Sequence, residues 1–403
     1  MSKRIIIIGT GFAGMFAALA AARLRDIEGA SPKALEILVL SREPVLTIRP
    51  RLYERLPGEM KADLDALFAA TDVCFRQGEA IGIDPSAQSV ALRTASGDTE
   101  RLSYDRLVLA AGSQVAHPPI PGLADFAFNN DQRDSADKLW RHVHSLADRP
   151  ASAPRDTVVI AGGGFTGIET AAEFPQRLRD VLGPEASPRV IIVERADTIG
   201  PDLGPNPRPV IEEALDALDI ERRLGVAVSA IDTQGVTLSN GERIDSATVV
   251  WTGGIRPTPL NADIASAKDA LGRLLVDADL RVPDVPTIFA AGDAASAAAD
   301  GDGNRTLMSC QHAMPLGRVA GHNAAADLLG LPTMAYEQPV YGTCLDLGPW
   351  GAVITQGWDR QVVLSGAEAK TMKTQINSVW IYPPAADRAT AFAAAEPGTY
   401  ATV

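Results

Sequence analysis

A glycine-rich turn near the start of the chain follows a run of four isoleucines. The run, Ile5–Ile8, predicts a strand buried on both faces, as in the centre of a parallel sheet. The turn has the spacing Gly-x-Gly-x-x-Gly over residues 9–14, and an alanine-rich helix is predicted from Met15 to Leu24. In such a unit the first glycine makes the turn, the second lets backbone approach a phosphate, and the third lets the helix pack on the strand. The unit therefore predicts a site for the pyrophosphate of a dinucleotide.

The same unit occurs again about one domain's length further along the chain. A β-branched strand, Asp156–Ala161, leads into the same glycine spacing over residues 162–167, and a second helix is predicted to follow. One glycine turn is weak evidence, but two copies in the same setting strongly favour dinucleotide binding. The alternative is a pair of unrelated doubly wound domains with tight turns.

The next strand of each unit ends where a dinucleotide fold places an acid for the adenosine ribose. In the second unit this strand ends in Glu194, whereas Ser41 takes the equivalent place in the first. A carboxylate at Glu194 would bind the ribose hydroxyls and repel a 2′-phosphate, although Arg195 beside it could soften that repulsion. We therefore predict NADH rather than NADPH. The alternative is a solvated acid at a strand end.

Composition and charge exclude several classes of function. The length of 403 residues predicts two or three domains, and no apolar run is long enough for an integral membrane segment. A formal charge of −13 argues against a nucleic-acid partner, which would require a basic face. The three cysteines and five histidines have no close spacing, so no metal site is predicted. The first strand starts too early to leave room for a signal peptide, so a cytoplasmic location is expected.

Five short segments carry a resemblance to a known family, and they occur in that family's order. They are residues 9–14, 107–112, 162–169, 250–254 and 289–293. With them the chain resembles the pyridine nucleotide–disulfide oxidoreductase superfamily of flavoproteins, and within it the type II NADH:quinone oxidoreductases. The resemblance implies an α/β fold with two Rossmann-like, doubly wound, three-layer dinucleotide-binding domains and a small α+β carboxy-terminal domain. It implies an FAD-binding domain over residues 1–120 and 255–330, an NAD(P)H-binding domain over 121–254, and the last domain over 331–403.

The resemblance also implies FAD in the first site and a nicotinamide nucleotide in the second. The residues expected to bind FAD are Gly9, Gly11, Phe12, Ala13, Gly14, Ser41, Arg42, Arg49, Ala80, Ala111, Gly112, Gly292, Asp293, Gln311, His312 and Ala313. The residues expected to bind NAD(P)H are Gly162, Gly164, Phe165, Thr166, Gly167, Glu194, Arg195, Gly253 and Gly254. Asp293 is expected to contact the ribityl chain or pyrophosphate, with a plain helix cap as the alternative.

Three residues are implied as catalytic. Glu169 matches an acid near the nicotinamide and the flavin, where it could position the nicotinamide or relay a proton; a surface pair with Glu173 is the alternative. Lys373 matches a carboxy-terminal lysine that could neutralise a reduced acceptor or flavin, unless it is merely solvated. Gln311 keeps the first glutamine of the quinone motif Ala-Gln-x-x-x-Gln.

The start of the helix that carries Gln311 is expected to lie beside the flavin's pyrimidine edge. Backbone N–H groups over residues 309–313 would stabilise charge there, so His312 need not act through its side chain. Arg49 and Arg51 are expected close to the flavin, where they could hold an anionic or carbonyl substrate. A solvated basic patch is the equal alternative.

Departures from the family limit the function. No cysteine occurs over residues 47–53, which excludes disulfide reduction, and Cys344 is interpreted as a small core residue. Cys310 and Pro315 replace the alanine and second glutamine of the quinone motif, and no cationic stripe follows Lys373. Reduction of a membrane quinone is therefore not expected.

The sequence predicts a soluble FAD-dependent NAD(P)H oxidoreductase. It would pass hydride from NADH through flavin N5 to a small organic, quinone-like acceptor. The alternatives are a reductase that feeds a ferredoxin-type protein and a non-catalytic flavin redox sensor. A homodimer is compatible with this interpretation.

Overall fold

The computed structural model describes residues 2–399. Its β-strands are β1 (Lys3–Ile8), β2 (Leu35–Ser41), β3 (Val45–Thr47), β4 (Lys61–Asp63), β5 (Cys74–Gln77), β6 (Glu79–Asp84), β7 (Ser89–Arg93), β8 (Thr99–Ser103), β9 (Arg106–Leu109), β10 (Ser113–Val115), β11 (Thr157–Ala161), β12 (Arg189–Val193), β13 (Ile220–Arg223), β14 (Val228–Asp232), β15 (Gly235–Leu238), β16 (Arg243–Asp245), β17 (Thr248–Trp251), β18 (Ile255–Pro257), β19 (Leu274–Leu275), β20 (Ile288–Ala290), β21 (Ala295–Ser296), β22 (Gly342–Asp346), β23 (Ala352–Gln356) and β24 (Gln361–Ser365). Its α-helices are α1 (Phe12–Ile27), α2 (Asp65–Ala70), α3 (Leu123–Phe126), α4 (Arg133–Ser145), α5 (Ala153–Asp156), α6 (Phe165–Leu182), α7 (Arg208–Ala217), α8 (Cys310–Leu329), α9 (Gly366–Gln375) and α10 (Arg388–Ala394).

The first glycine turn lies at the end of the central strand of a parallel sheet. This sheet has the order β20-β9-β1-β2-β5, and β1 pairs in parallel with both of its neighbours. The isoleucines of β1 are at most 4% exposed, because the strand is covered on both faces. Strand β20 joins this sheet from far along the chain, so the first unit is completed only after the second has been made.

The second glycine turn has the same surroundings. It follows β11, which pairs in parallel with β12 on one side and with β17 on the other, in a sheet of order β13-β12-β11-β17. A three-stranded antiparallel sheet accompanies each unit: β6–β8 in the first and β14–β16 in the second. The duplication expected from the glycine spacing therefore extends to the architecture of both units.

The remaining elements connect and cover these two sheets. The short antiparallel pair β10–β18 links the two units, and the antiparallel sheet β22-β23-β24 packs with α9 against α6. Helix α10, in the tail after residue 375, packs on α1 and α2. The predicted fold class, two doubly wound units with a small α+β addition, is confirmed; its exact domain bounds stay a prediction.

Helices α1 and α8 cross at very close range. A Cβ atom on Gly317 would overlap the carbonyl oxygen of Ala13, and one on Gly321 would overlap that of Ala17. These glycines let the two backbones touch, which fixes the amino terminus of α8 relative to that of α1. None of the helices described over residues 2–399 combines the length and apolar character needed to cross a membrane.

Candidate active site

One cavity of about 2500 Å³ joins the two glycine turns. Its wall includes almost all of the residues that the sequence predicted for cofactor binding and catalysis. The exceptions are Gly14, Gly167 and His312, which lie behind the wall. Residues predicted in two different units and in the carboxy-terminal region are thus brought to one space.

The first turn has the geometry of a phosphate cradle. Gly9 has φ +108°, and a Cβ there would come within 2.5 Å of the carbonyl oxygen of Ala110. A Cβ on Gly14 would overlap the carbonyl oxygen of Gly9, so these two glycines allow close packing of strand and helix. Gly11 also lines the cavity, but a Cβ there would meet no atom within 4 Å. The free space lies at the amino terminus of α1, where unpaired backbone N–H groups favour an anion.

The second turn repeats this arrangement glycine by glycine. Gly162 has φ +125° and packs against Thr252, while a Cβ on Gly167 would overlap the carbonyl oxygen of Gly162. Gly164 again has nothing within 4 Å of its would-be Cβ. Both turns therefore fit the pyrophosphate of a dinucleotide, with two glycines serving the fold and one left open to the ligand.

Asp293 is held at the cavity wall by two partners. The Ser113 hydroxyl donates to Asp293 Oδ2 at 2.6 Å, and Arg49 Nη1 lies 3.4 Å from the same oxygen. Arg49 also forms an ion pair with Asp131. This network fixes the orientation of the Asp293 carboxylate and commits Arg49 to acids of the protein. Arg51 pairs with Glu54 and does not line the cavity.

Glu194 lies at the end of β12 with both carboxylate oxygens in use. Oε2 accepts from the backbone N–H of Gly163 at 2.7 Å, and Oε1 accepts from that of Ala196 at 2.8 Å. The residue therefore holds the second glycine turn in place, and it also lines the cavity where a ribose would lie. In the first unit, the hydroxyl of Ser41 accepts a hydrogen bond of 3.0 Å from Thr10.

Glu169 and Lys373 form a buried ion pair at the cavity wall. Glu169 Oε1 and Lys373 Nζ are 2.8 Å apart, and their side chains are 5% and 6% exposed, respectively. Lys373 Nζ also donates to the carbonyl oxygen of Cys344 at 2.8 Å, and the backbone N–H of Asp346 donates to Glu169 at 3.1 Å. Glu173 has a different partner, because its Oε1 lies 3.8 Å from Lys370 Nζ. The pair joins α6 of the second unit to α9 of the carboxy-terminal region.

Burial controls the protonation of this pair. It raises the pKa of the Glu169 carboxyl to about 7, although the Lys373 ammonium acts in the opposite direction. Burial alone would lower the pKa of Lys373, but the nearby Glu169 carboxylate outweighs it and the net shift is upward. Lys373 therefore stays charged, and Glu169 is the member that exchanges a proton near neutral pH.

A cluster of hydrogen-bonded side chains beside the Glu169–Lys373 pair was not expected from the sequence. The Tyr53 hydroxyl donates to Asp346 Oδ2 at 2.9 Å, and Lys370 Nζ donates to Asp346 Oδ1 at 2.5 Å. Asn377 in turn donates to the Tyr53 hydroxyl at 3.3 Å. Tyr53 lies in a segment that was considered only for its missing cysteines and its arginines, so no motif pointed to it.

The start of α8 presents backbone to the cavity. Ser309 caps the helix by accepting from the backbone N–H of His312, and Gln311 lines the cavity. The His312 side chain is fully buried, 5.4 Å from the ring centroid of Tyr341, and burial lowers its pKa to about 4. His312 is therefore neutral and faces away from the cavity. Burial likewise raises the pKa of the Cys310 thiol to about 11, so the thiol is not ionised.

This fold and this cavity define an oxidoreductase with two nucleotide cradles open to one space. A family model described as pyridine nucleotide-disulphide oxidoreductase matches residues 3–317, and the chain belongs to that family. It is therefore an NADH dehydrogenase-like oxidoreductase, with FAD and NADH as the expected cofactors. The resemblance stated from the five motifs is confirmed, and an enzyme is favoured over a non-catalytic sensor.

Two relatives cover nearly the whole chain. An NADH dehydrogenase-like protein of Mycobacterium tuberculosis is 45% identical over 397 residues, which is 98% of each chain. A demethylphylloquinone reductase of Synechocystis is 33% identical over 363 residues, or 87% of this chain and 86% of that protein.

Solved structures show the same fold at lower identity. NDH2 of Plasmodium falciparum in complex with NADH superposes with a TM-score of 0.78 at 15% identity, covering 98% of this chain and 97% of that one. The sulfide:quinone oxidoreductase of Aquifex aeolicus gives 0.76 at 19% identity, covering 94% and 90%.

Proposed function

We propose that the protein passes reducing equivalents from NADH through FAD to a small quinone-type acceptor. The observation that carries this proposal is the buried Glu169–Lys373 pair, which lies on the wall of the one cavity that both glycine turns share. A relative of similar length that is named for reducing a demethylphylloquinone supports the class of acceptor.

The first cradle suits FAD and the second suits NADH. Gly11 and the amino terminus of α1 would hold one pyrophosphate, while the Asp293 carboxylate, oriented by Ser113, would accept hydroxyls of the same ligand. Gly164 and Glu194 would hold the other nucleotide. When bound, FAD supplies hydride acceptance at N5 and the onward transfer of two electrons.

The protein's own groups manage position and protons. Reduction of a quinone by NADH consumes one proton from the medium, because NADH brings two electrons but only one hydrogen. Glu169, protonated up to about pH 7, can donate that proton at Oε1. Lys373 stays charged beside it and stabilises negative charge that develops on the acceptor. The ring of Phe165 lines the same wall, with its centroid 5.7 Å from Lys373 Nζ.

The proposal can be tested by asking which acceptor reoxidises the reduced protein. FAD-loaded protein is reduced with NADH under nitrogen and mixed with a short-chain naphthoquinone, a short-chain benzoquinone, oxygen or a ferredoxin. We expect a quinone to reoxidise it fastest and to support steady turnover. Faster reoxidation by oxygen or by the ferredoxin would contradict the proposal.

A further inference from the structure

Arg360 lies on the cavity wall at the tip of a hairpin. It occupies the turn between β23 and β24 with φ +56°, a left-handed conformation that arginine rarely adopts. Its backbone N–H donates to the carbonyl oxygen of Gly357 at 3.0 Å. The Asn206 side chain fixes the same turn by donating to the carbonyl oxygen of Asp359 at 2.7 Å. The position of Arg360 is thus set by the backbone rather than by its side chain.

Aromatic rings support the guanidinium from one side. Its central carbon lies 5.7 Å from the ring centroid of Tyr341, and Nη2 donates to the Tyr341 hydroxyl at 3.4 Å. Tyr341 in turn stacks on Trp358, with centroids 4.3 Å apart and planes 18° apart, and also contacts the buried His312. This stack restricts the rotamers of Arg360 and holds its charge toward the cavity.

The charge of Arg360 has no acidic partner in the part of the chain that the structure describes. Its only side-chain partner there is the Tyr341 hydroxyl, and its Nε is buried without a hydrogen bond. Of the other arginines on this wall, four form ion pairs: Arg49, Arg93, Arg133 and Arg273. The other three, Arg42, Arg195 and Arg256, have no ion pair among the described residues but are exposed to solvent, whereas Arg360 is half-buried. Nη1 of Arg360, unlike Nε, is not buried and has no hydrogen-bond partner among the described residues, so it is free to donate to an anion in the cavity.

The phosphates of the two cofactors already have cradles elsewhere in the cavity. Those cradles are the amino termini of α1 and α6, beside Gly11 and Gly164. Arg360 belongs instead to the carboxy-terminal hairpin. From Tyr341 the chain runs along β22 to Cys344, whose carbonyl oxygen accepts from Lys373. At about 3.3 Å per residue, these three steps along the strand separate Tyr341, which supports Arg360, from Cys344, which contacts Lys373, by about 10 Å.

We propose that Arg360 binds a carboxylate carried by the electron acceptor. The acceptor would be a quinone-type ring with an acidic side chain, its ring beside the Glu169–Lys373 pair and its carboxylate paired with the guanidinium. A planar guanidinium held by a ring suits such a carboxylate, because it can form two parallel hydrogen bonds. This inference rests on the proposed function and names the chemical class of its second substrate.

A matched pair of acceptors tests the proposal. One is a naphthoquinone with a short carboxyalkyl chain, and the other is its methyl ester, which has the same ring but no charge. The ratio of kcat/KM for acid over ester is measured for the wild-type protein, Arg360→Gln and Arg360→Lys. We expect a ratio above one for wild type, a fall of at least about tenfold in Arg360→Gln, and partial retention in Arg360→Lys.

Equilibrium titration of the oxidised, FAD-loaded protein gives a second readout. The dissociation constant of the acid should rise at least about tenfold in Arg360→Gln, while that of the ester changes little. Arg179→Gln, on the exposed side of α6, is the control. It should leave the acid-to-ester ratio of kcat/KM and both dissociation constants as in wild type. Thermal unfolding of each variant checks that the substitution has not destabilised the fold.

Two results would overturn the inference. One is an unchanged acid-to-ester ratio in Arg360→Gln. The other is an equal rise of the KM for NADH with both acceptors, which would make Arg360 a ligand of the dinucleotide phosphates. If wild type reduces neither quinone, the proposed function fails, while the titration still decides whether Arg360 binds the carboxylate.

Discussion

At the scale of single residues, the Glu169–Lys373 pair determines how the site responds to pH. Burial favours the neutral form of the carboxyl, so Glu169 keeps its proton up to about pH 7 and loses it above. Lys373 holds the charge opposite it at 2.8 Å throughout this range. A proton is therefore ready for donation on the acidic side of neutrality and is lost on the alkaline side.

Replacing Glu169 with glutamine should remove this pH dependence. In wild type, kcat/KM for a quinone should fall as pH rises past about 7, because the donor is then ionised. In Glu169→Gln we expect a value on the order of 100-fold lower at pH 6 and nearly constant with pH. Glu173→Gln, one helical turn away, is the control and should keep the wild-type profile. An unchanged profile in Glu169→Gln would show that another group supplies the proton.

Glu194 makes a separate prediction about the choice of nucleotide. Its carboxylate should repel a 2′-phosphate while it accepts ribose hydroxyls. Glu194→Gln should therefore lower the kcat/KM ratio of NADH over NADPH by at least about tenfold. Glu213→Gln, on the exposed side of α7, should leave the ratio unchanged. The assignment is wrong if Glu194→Gln keeps the wild-type preference, since the carboxylate would then only hold the glycine turn.

At the scale of elements, the two glycine turns separate folding from binding. Gly11→Ala should leave the free energy of unfolding of the FAD-free protein within about 1 kcal/mol of wild type. It should raise the dissociation constant of FAD at least about tenfold, because the added methyl group enters the phosphate space. Gly14→Ala should instead destabilise the FAD-free protein by about 1–3 kcal/mol, since its Cβ overlaps backbone. Chemical unfolding and FAD titration of both variants measure these effects.

The second turn supplies the matched control for the first. Gly164→Ala should keep FAD bound but weaken NADH binding, since its Cβ would enter the second cradle alone. Loss of FAD from Gly164→Ala, or full FAD affinity in Gly11→Ala, would contradict the assignment of the two cradles.

The sequence predicted elements whose signal is local. Consecutive isoleucines and the glycine spacing indicated β1, β11 and both turns, because a buried strand and a tight turn each depend on nearby residues. No element was predicted for the tail after residue 375, where α10 forms because Asp387 caps it and because α1 and α2 offer a surface to cover. That surface is created by distant parts of the chain, and no local pattern reports it.

In the candidate site, too, contacts between segments distant in the chain could not be predicted from local sequence. Glu169 and Lys373 came from the resemblance, since nothing in their own surroundings indicates a contact between residues 204 positions apart. Tyr53 and Asp346 were missed because their hydrogen bond also joins distant segments. Arg51 was expected near the flavin with Arg49, but only Arg49 lines the cavity, since Arg51 is held by Glu54.

At the scale of the whole molecule, the order of the chain explains why one cavity serves both cradles. The chain leaves the first unit after β9, builds the second, and returns through β18 to add β20 to the first sheet. The pair β10–β18 therefore lies where both connections cross between the units. The carboxy-terminal sheet then adds Lys373 and Arg360 to the same wall. Two nucleotides bound at the glycine turns would therefore face one another across a space closed by a third part of the chain.

Anaerobic mixing of the FAD-loaded protein with NADH tests this arrangement most directly. If the two cradles hold FAD and NADH in one cavity, the visible absorbance of the oxidised flavin is lost rapidly with one equivalent of NADH per bound FAD. In Gly164→Ala the same protein-bound flavin should be reduced only at much higher NADH concentrations. A flavin that stays oxidised in the wild-type protein with excess NADH would contradict the account.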